Sequence, residues 1–234
     1  MLHLMEKLIG MAIGASDGEI GKIKDVYFDD HRLAARYLVV ETGHWLEERK
    51  VLISPIAVKS IDWDQGIVVV GLTQKQVRES PNIDTDKPVS RQHEIEFFSY
   101  YGYPDYWSGL MLWGAAPYPM MPVPGPPPIN TVFIKRVKTR VRAKPDPHLC
   151  SVNEVTGYHL QATDHSIGQL QDFLIDDKSW AIRYIVVDTS NWWPGKHVVI
   201  PPQWIKQLNW ANRIVNLDVT RDTVQGAPEY NPVV

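Results

Sequence analysis

Cysteine occurs once, at Cys150, so no intramolecular disulfide can form and the fold has to stand on its hydrophobic core. That usage fits a reducing, cytoplasmic setting. No apolar run reaches the roughly 18 residues that a membrane-spanning helix needs. The first 15 residues have a faint signal-peptide look, but Glu6 and Lys7 interrupt them. Charge of one sign is also missing. The 24 Lys and Arg against 27 Asp and Glu leave a net charge of −3, so the whole chain offers no electrostatic reason to meet nucleic acid or an anionic membrane. A partner of that kind requires a local patch. A glycine-rich phosphate loop is absent as well, and so is any Cys/His spacing typical of a metal site.

What the chain does contain is a repeat. A shift of about 147 positions aligns residues 10–83 with 157–230 without a gap, with about 25 identities in about 74 positions. The shared landmarks include Asp17/Asp164, Ile20-Gly21/Ile167-Gly168, Asp25/Asp172, Asp29-Asp30/Asp176-Asp177, Arg36-Tyr37/Arg183-Tyr184, Trp45/Trp192 and Pro55/Pro202. Each copy is rich in Val, Ile, Tyr and Trp, in short runs broken by Gly, Asp, Asn and Pro. That pattern predicts a small β domain with strands near 9–15, 21–28, 35–41, 51–54, 58–62 and 67–72. Tyr37-Leu38-Val39-Val40 is apolar without alternation, which predicts a strand covered on both faces. Turn chemistry accounts for the Asp-Asp pairs, and Pro55 and Pro202, lacking an N–H, end their ladders.

Four segments recur as motifs. Asp17-Gly18-Glu19-Ile20-Gly21 leads to Asp25-Val26-Tyr27-Phe28-Asp29, then Arg36-Tyr37-Leu38-Val39-Val40, then Val51-Leu52-Ile53-Ser54-Pro55. The second copy repeats the order from Asp164 to Pro202. As an ordered set they resemble the PRC-barrel family, known from the cytoplasmic domain of photosynthetic reaction-centre H subunits and from ribosome-maturation factors. The resemblance implies an all-β fold of two tandem small barrels and a role in binding rather than catalysis. The expected organisation is a first barrel at 1–83, a connecting segment at 84–150 and a second barrel at 151–234.

In the connecting segment, Ser90 as N-cap and Gly102 as C-terminal stop predict a short helix over 91–101, with Ile95, Phe97, Phe98 and Tyr101 packing on a barrel. Residues 103–128 are dense in Pro, Tyr, Trp and Met and are expected as an extended or disordered spacer, whose aromatics Trp107, Trp113 and Tyr118 fold back onto the barrels or else meet a partner. Six basic side chains, Lys135, Arg136, Lys138, Arg140, Arg142 and Lys144, follow without an acidic one. They read as a solvated segment or as a contact for nucleic acid or an acidic protein.

Five tryptophans are candidates for a partner surface. Trp45, Trp192 and Trp193 follow the central strands, where they could plug a barrel mouth or present a recognition surface, and Trp107 and Trp113 lie in the spacer. Metal chemistry is not expected. The nearest grouping, His159, Asp164 and His165 with His148 and Cys150 upstream, lacks ligand spacing, and Ala12 and Gly18 replace His159 and His165 in the first copy. No cofactor, catalytic residue or transmembrane segment is expected. The expected partner is an unidentified protein or a second copy, with RNA through the basic run as the alternative, and the expected location is the cytoplasm or the periphery of a membrane complex.

Overall fold

β-branched and aromatic runs set the strands, and glycine, proline and Asx turns end them. The structure, a computed structural model, describes residues 1–46, 49–81, 89–120, 148–189 and 196–231. The first half contributes β1 (Leu2–Leu4), β2 (Ala12–Ala15), β3 (Gly18–Asp29), β4 (Ala34–Thr42), β5 (Lys50–Ile53), β6 (Val58–Asp62), β7 (Ile67–Val70) and a helical turn α1 (Gln74–Arg78). Then come the helix α2 (Arg91–Tyr101), β8 (Leu149–Ser151) and the turn α3 (Val152–Val155). The second half supplies β9 (His159–Gln161), β10 (Ser166–Asp176), β11 (Ile182–Asp188), β12 (His197–Ile200), β13 (Ile205–Asn209), β14 (Ile214–Leu217) and α4 (Arg221–Gln225).

Two seven-stranded sheets result, with matching orders: β5-β4-β3-β2-β7-β6 and β12-β11-β10-β9-β14-β13. Among the described residues no ladder joins the ends of either path. The seventh strand of each sheet comes from the other half. β1 pairs antiparallel with β10, Leu2 opposite Asp176, and β8 pairs antiparallel with β3, Leu149 opposite Asp29. The two registers are repeat images of one another, so the halves exchange equivalent edge strands. Each exchange covers a row of backbone groups that would otherwise stand at an open edge.

Most shared polar residues hold backbone. Asp17 accepts from the Gln74 N–H at 2.8 Å and Asp164 from the Arg221 N–H at 2.9 Å, fixing α1 and α4. Thr73 and Thr220 cap those same turns. Thr42 and Thr189 hydroxyls each donate across a loop at 2.8 Å, to the Arg49 and Lys196 carbonyls. Asp29 accepts from the His31 and Arg32 N–H groups, and Asp176 from those of Lys178 and Ser179, the turn chemistry expected of them. Gly21 and Gly168 are required by close approach. A Cβ there would lie 2.0 Å from the Glu41 carbonyl oxygen and 1.9 Å from that of Asp188.

At one left-handed turn position only the first copy has glycine. Gly66 has φ 66°, and its repeat partner Arg213 has φ 54°, a left-handed conformation that costs a side-chain-bearing residue on the order of 1 kcal/mol. Arg213→Gly should therefore raise stability by up to about 1 kcal/mol, read as a higher urea midpoint at unchanged slope.

Candidate functional site

The two halves meet along a seam where β4 and β11 begin. Ala34 and Ala181 form an antiparallel bridge, with the Ala35 N–H donating to the Trp180 carbonyl at 2.9 Å and the Ile182 N–H to the Leu33 carbonyl at 2.7 Å. These contacts are repeat images, so a local two-fold axis passes through the bridge. Leu33 and Trp180 hold left-handed φ of 50° and 58°, turning the chain into the seam. Phe28 and Phe173 touch, ring centroids 5.0 Å apart, and one hydrophobic core runs from Met5 to Val224 through both halves.

Asp25 and Asp172 tie the exchange. Asp172 accepts the Glu6 N–H of the first half at 3.2 and 3.3 Å, and Asp25 accepts the Asn153 N–H at 3.2 Å and the Ser151 hydroxyl at 2.5 Å. Burial raises both carboxyls, that of Asp172 to about 7, with the backbone donors opposing it. A folded pKa above the unfolded one means that the native state keeps a proton the unfolded chain releases. The associated stability is present in acid and declines as pH rises through the interval from about 4 to 7. Chemical denaturation should accordingly give a higher midpoint at pH 5 than at pH 8, and Asp172→Asn should flatten that slope. An unchanged slope in the variant would assign the pH dependence elsewhere.

Over the first sheet lies a roof made by α2 and residues 103–116. Ser90 caps α2 and Gly102 closes it at φ 67°, as the sequence predicts. Phe97 and Phe98 are buried, Ile95 and Tyr101 half-buried. The spacer is not extended through this part: bridges between Met111 and Gly114 and between Trp113 and Ala116 fold it into a compact turn. Arg32 pins that turn, its guanidinium donating to the carbonyls of Tyr106 at 2.9 Å, Gly109 at 2.7 Å and Met111 at 2.5 Å.

Beneath the roof is a buried polar cluster. Glu94, 0% exposed, accepts from the Tyr37 hydroxyl at 3.0 Å and the Tyr106 hydroxyl at 2.5 Å through Oε1. Its Oε2 lies 2.8 Å from Arg91 Nη1 and 2.9 Å from His148 Nε2. Burial, with the Glu94 charge adding to it, pushes both tyrosine hydroxyls well above their ordinary value, so both stay donors. Beside them Arg36 is 0% exposed. It is the extra residue of a β-bulge, since Tyr37 faces Tyr27 while Ala35 faces Phe28. Its guanidinium stacks on the rings of Tyr106 at 3.9 Å and Trp113 at 4.7 Å and reaches Asp29 Oδ2 at 3.3 Å.

The second sheet has the same bulge and, among the described residues, no such cover. Tyr184 faces Leu174 and Ile182 faces Ile175, leaving Arg183 as the extra residue. Arg183 is exposed, and Tyr184 is 40% exposed where Tyr37 is 0%. A cavity of about 470 Å³ opens beside Arg183 along the seam.

Of the candidate partner-surface tryptophans, the two in the spacer lie against the fold. Trp113 is buried at 3% exposure, with its indole N–H donating to the Ser179 carbonyl at 2.8 Å, and Trp107 is half-buried against Phe98 and Arg91. Both fold back because the Arg36 and Arg91 cations offer them a face. The Trp45 side chain, Trp192, Trp193 and the basic run Lys135, Arg136, Lys138, Arg140, Arg142 and Lys144 lie outside the described residues. His159, Asp164 and His165 are exposed, His148 is buried on Glu94, and Cys150 is buried in β8 with its thiol pushed up by burial. Among the described residues no three His, Cys, Asp or Glu side chains gather as a metal site would require, and no helix is long and apolar enough to cross a membrane. Sequence reasoning missed Glu94 and the contrast between Arg36 and Arg183. The first had a signal, since Glu94 shares the helix face of Phe97, Phe98 and Tyr101 by its spacing.

Residues 4–76 match the family model of the PRC-barrel domain. No curated protein matches the chain.

Proposed function

We propose that this chain, which carries a PRC-barrel domain at residues 4–76, is a non-enzymatic interaction protein. In this reading residues 1–83 and 151–234 are two PRC-type units joined by 84–150 and locked together by their exchanged strands. The observation that carries it is the use of the shared polar residues. Asp17/Asp164, Asp25/Asp172, Asp29/Asp176 and Thr42/Thr189 all bond to backbone groups, which supports a scaffold rather than a pair of reaction centres. A rigid scaffold with unequal faces suits an adaptor that presents one surface while the other is internally covered.

The test is affinity purification of the tagged chain from its own cells at low and high salt. Recovery of a defined protein or membrane complex that survives high salt is the expected result, and a monomer that retains nothing would overturn the reading. The run Lys135 to Lys144, six cations without an acidic residue, favours a second reading, RNA or ribosome association. That reading predicts salt-labile recovery of ribosomal components, lost when the six residues become Gln. Recovery with pigment-bearing membranes would instead favour a reaction-centre-associated role. A cytoplasmic location is part of the proposal and is checked by fractionation.

A further inference from the structure

The repeat supplies its own comparison. Arg36 and Arg183 are repeat partners at equivalent bulges, and so are the adjacent Tyr37 and Tyr184. On the first sheet this chain answers the pair with a carboxylate and aromatic rings: Glu94 takes the Tyr37 hydroxyl, Phe97 packs edge-on to Tyr37 at 5.2 Å, and Tyr106 and Trp113 stack on Arg36. On the second sheet the equivalent Arg183 and Tyr184 are exposed. Arg183, Ile182, Pro202, Leu33, Leu112 and Tyr118 line the cavity there. Its volume of about 470 Å³ lies within the roughly 300–1,000 Å³ usual for binding clefts.

The acceptor for an indole is placed equivalently as well. Trp113 donates to the carbonyl of Ser179, and the repeat partner of Ser179 is Arg32, which lies on the cavity wall. A cleft lined by the Arg183 side chain and apolar residues, with the exposed Tyr184 next to Arg183 in the strand, is complementary in charge and shape to a carboxylate followed by aromatic side chains.

We propose that the face of the second sheet around Arg183 and Tyr184 is a docking site for a partner's peptide segment of that chemistry, an acidic helical turn followed by a tryptophan. The inference rests on the interaction-protein reading and names the surface and the kind of partner. Arg183 stacks on the incoming indole, the Tyr184 hydroxyl donates to the carboxylate, and the Arg32 carbonyl receives the indole N–H. The mode is a helix laid on a groove, with the affinity concentrated in one aromatic anchor.

The probe is a fluorescent synthetic peptide with the sequence of residues 89–116, titrated with the full-length protein and followed by anisotropy. Saturable binding with a Kd on the order of 10–100 μM is expected, because the peptide has to order itself on binding. Arg183→Ala and Tyr184→Ala in the protein should each weaken it about tenfold, as should Glu94→Gln or Trp113→Ala in the peptide. Both protein positions are exposed, so circular dichroism should show the variants folded. Absence of saturation up to about 1 mM would overturn the proposal. Binding that Arg183→Ala and Tyr184→Ala leave unchanged would overturn it too, since the peptide would then be replacing the chain's own segment on the first sheet. Failure of the peptide alongside salt-resistant partner recovery refutes this site alone, whereas failure of that recovery refutes the wider reading.

Discussion

Glu94→Ala should destabilise the protein by about 3–5 kcal/mol, the usual cost of removing one member of a buried ion pair. The carboxylate is fully buried and answers four groups: the Tyr37 and Tyr106 hydroxyls, Arg91 and His148. Arg91 is half-buried and can turn toward water, but His148 at 2% exposure and the two hydroxyls cannot. The Tyr37 hydroxyl then loses its acceptor in an apolar setting, and the Tyr106 hydroxyl keeps only the longer contact with His148 Nε2 at 3.2 Å. The roof should loosen with them, because Tyr106 also carries the stack on Arg36. Glu94→Gln keeps an acceptor oxygen and should cost less than Glu94→Ala. Urea denaturation gives the energy, and near-ultraviolet circular dichroism reports the rings of Tyr106, Trp107 and Trp113. A loss below about 1 kcal/mol would mean that the cluster only fills space.

Cutting the chain should leave it whole. With a protease site engineered between 121 and 147 and then cleaved, the two fragments should co-elute as one species at nanomolar concentration and part only in denaturant. Independent barrels on a tether would separate at once. The expectation follows from the exchange: β1 completes the second sheet, β8 completes the first, and Asp25 and Asp172 each hold the opposite half. The N-terminal ammonium adds a contact with Asp177 at 2.6 Å, and His3 stacks on Trp63 at 3.8 Å within the first half. Deleting Leu2–Leu4 removes one of the exchanged strands and exposes an edge of β10. The nicked variant lacking it should dissociate at concentrations at least about a hundredfold higher than the nicked parent, equivalent to about 2.7 kcal/mol. Fragments that separate without denaturant, with every strand present, would show the exchange to be too weak to join the halves.

Strand placement was legible because it is local. Runs such as Tyr37-Leu38-Val39-Val40 and Val51-Leu52-Ile53 are short, β-branched and bounded by turn residues, and β4 and β5 appear over them within a residue or two. The expected strand at 9–15 is shorter, β2 beginning only at Ala12, because a 3-10 turn at Met5–Leu8 and a left-handed Gly10 come first. Ser90 and Gly102 announced α2 since capping needs only the neighbouring backbone. The compact turn at Met111–Ala116 had no such signal. Proline density predicts extension, and it is the distant Arg32, gathering four carbonyls, that bends the segment back.

By itself the sequence determined a duplicated, β-rich chain with a capped helix after its first copy, because periodicity, turn chemistry and capping act between residues close in the chain. Only the tertiary structure decided which half each edge strand joins. Leu2–Leu4 and Leu149–Ser151 meet equivalent edges on either copy, so local preference cannot choose between them. It also decided the fates of Arg36 and Arg183. The two share a residue type, a bulge and a neighbouring tyrosine, and differ only in what the rest of the chain lays over them, which no property of the side chain itself records.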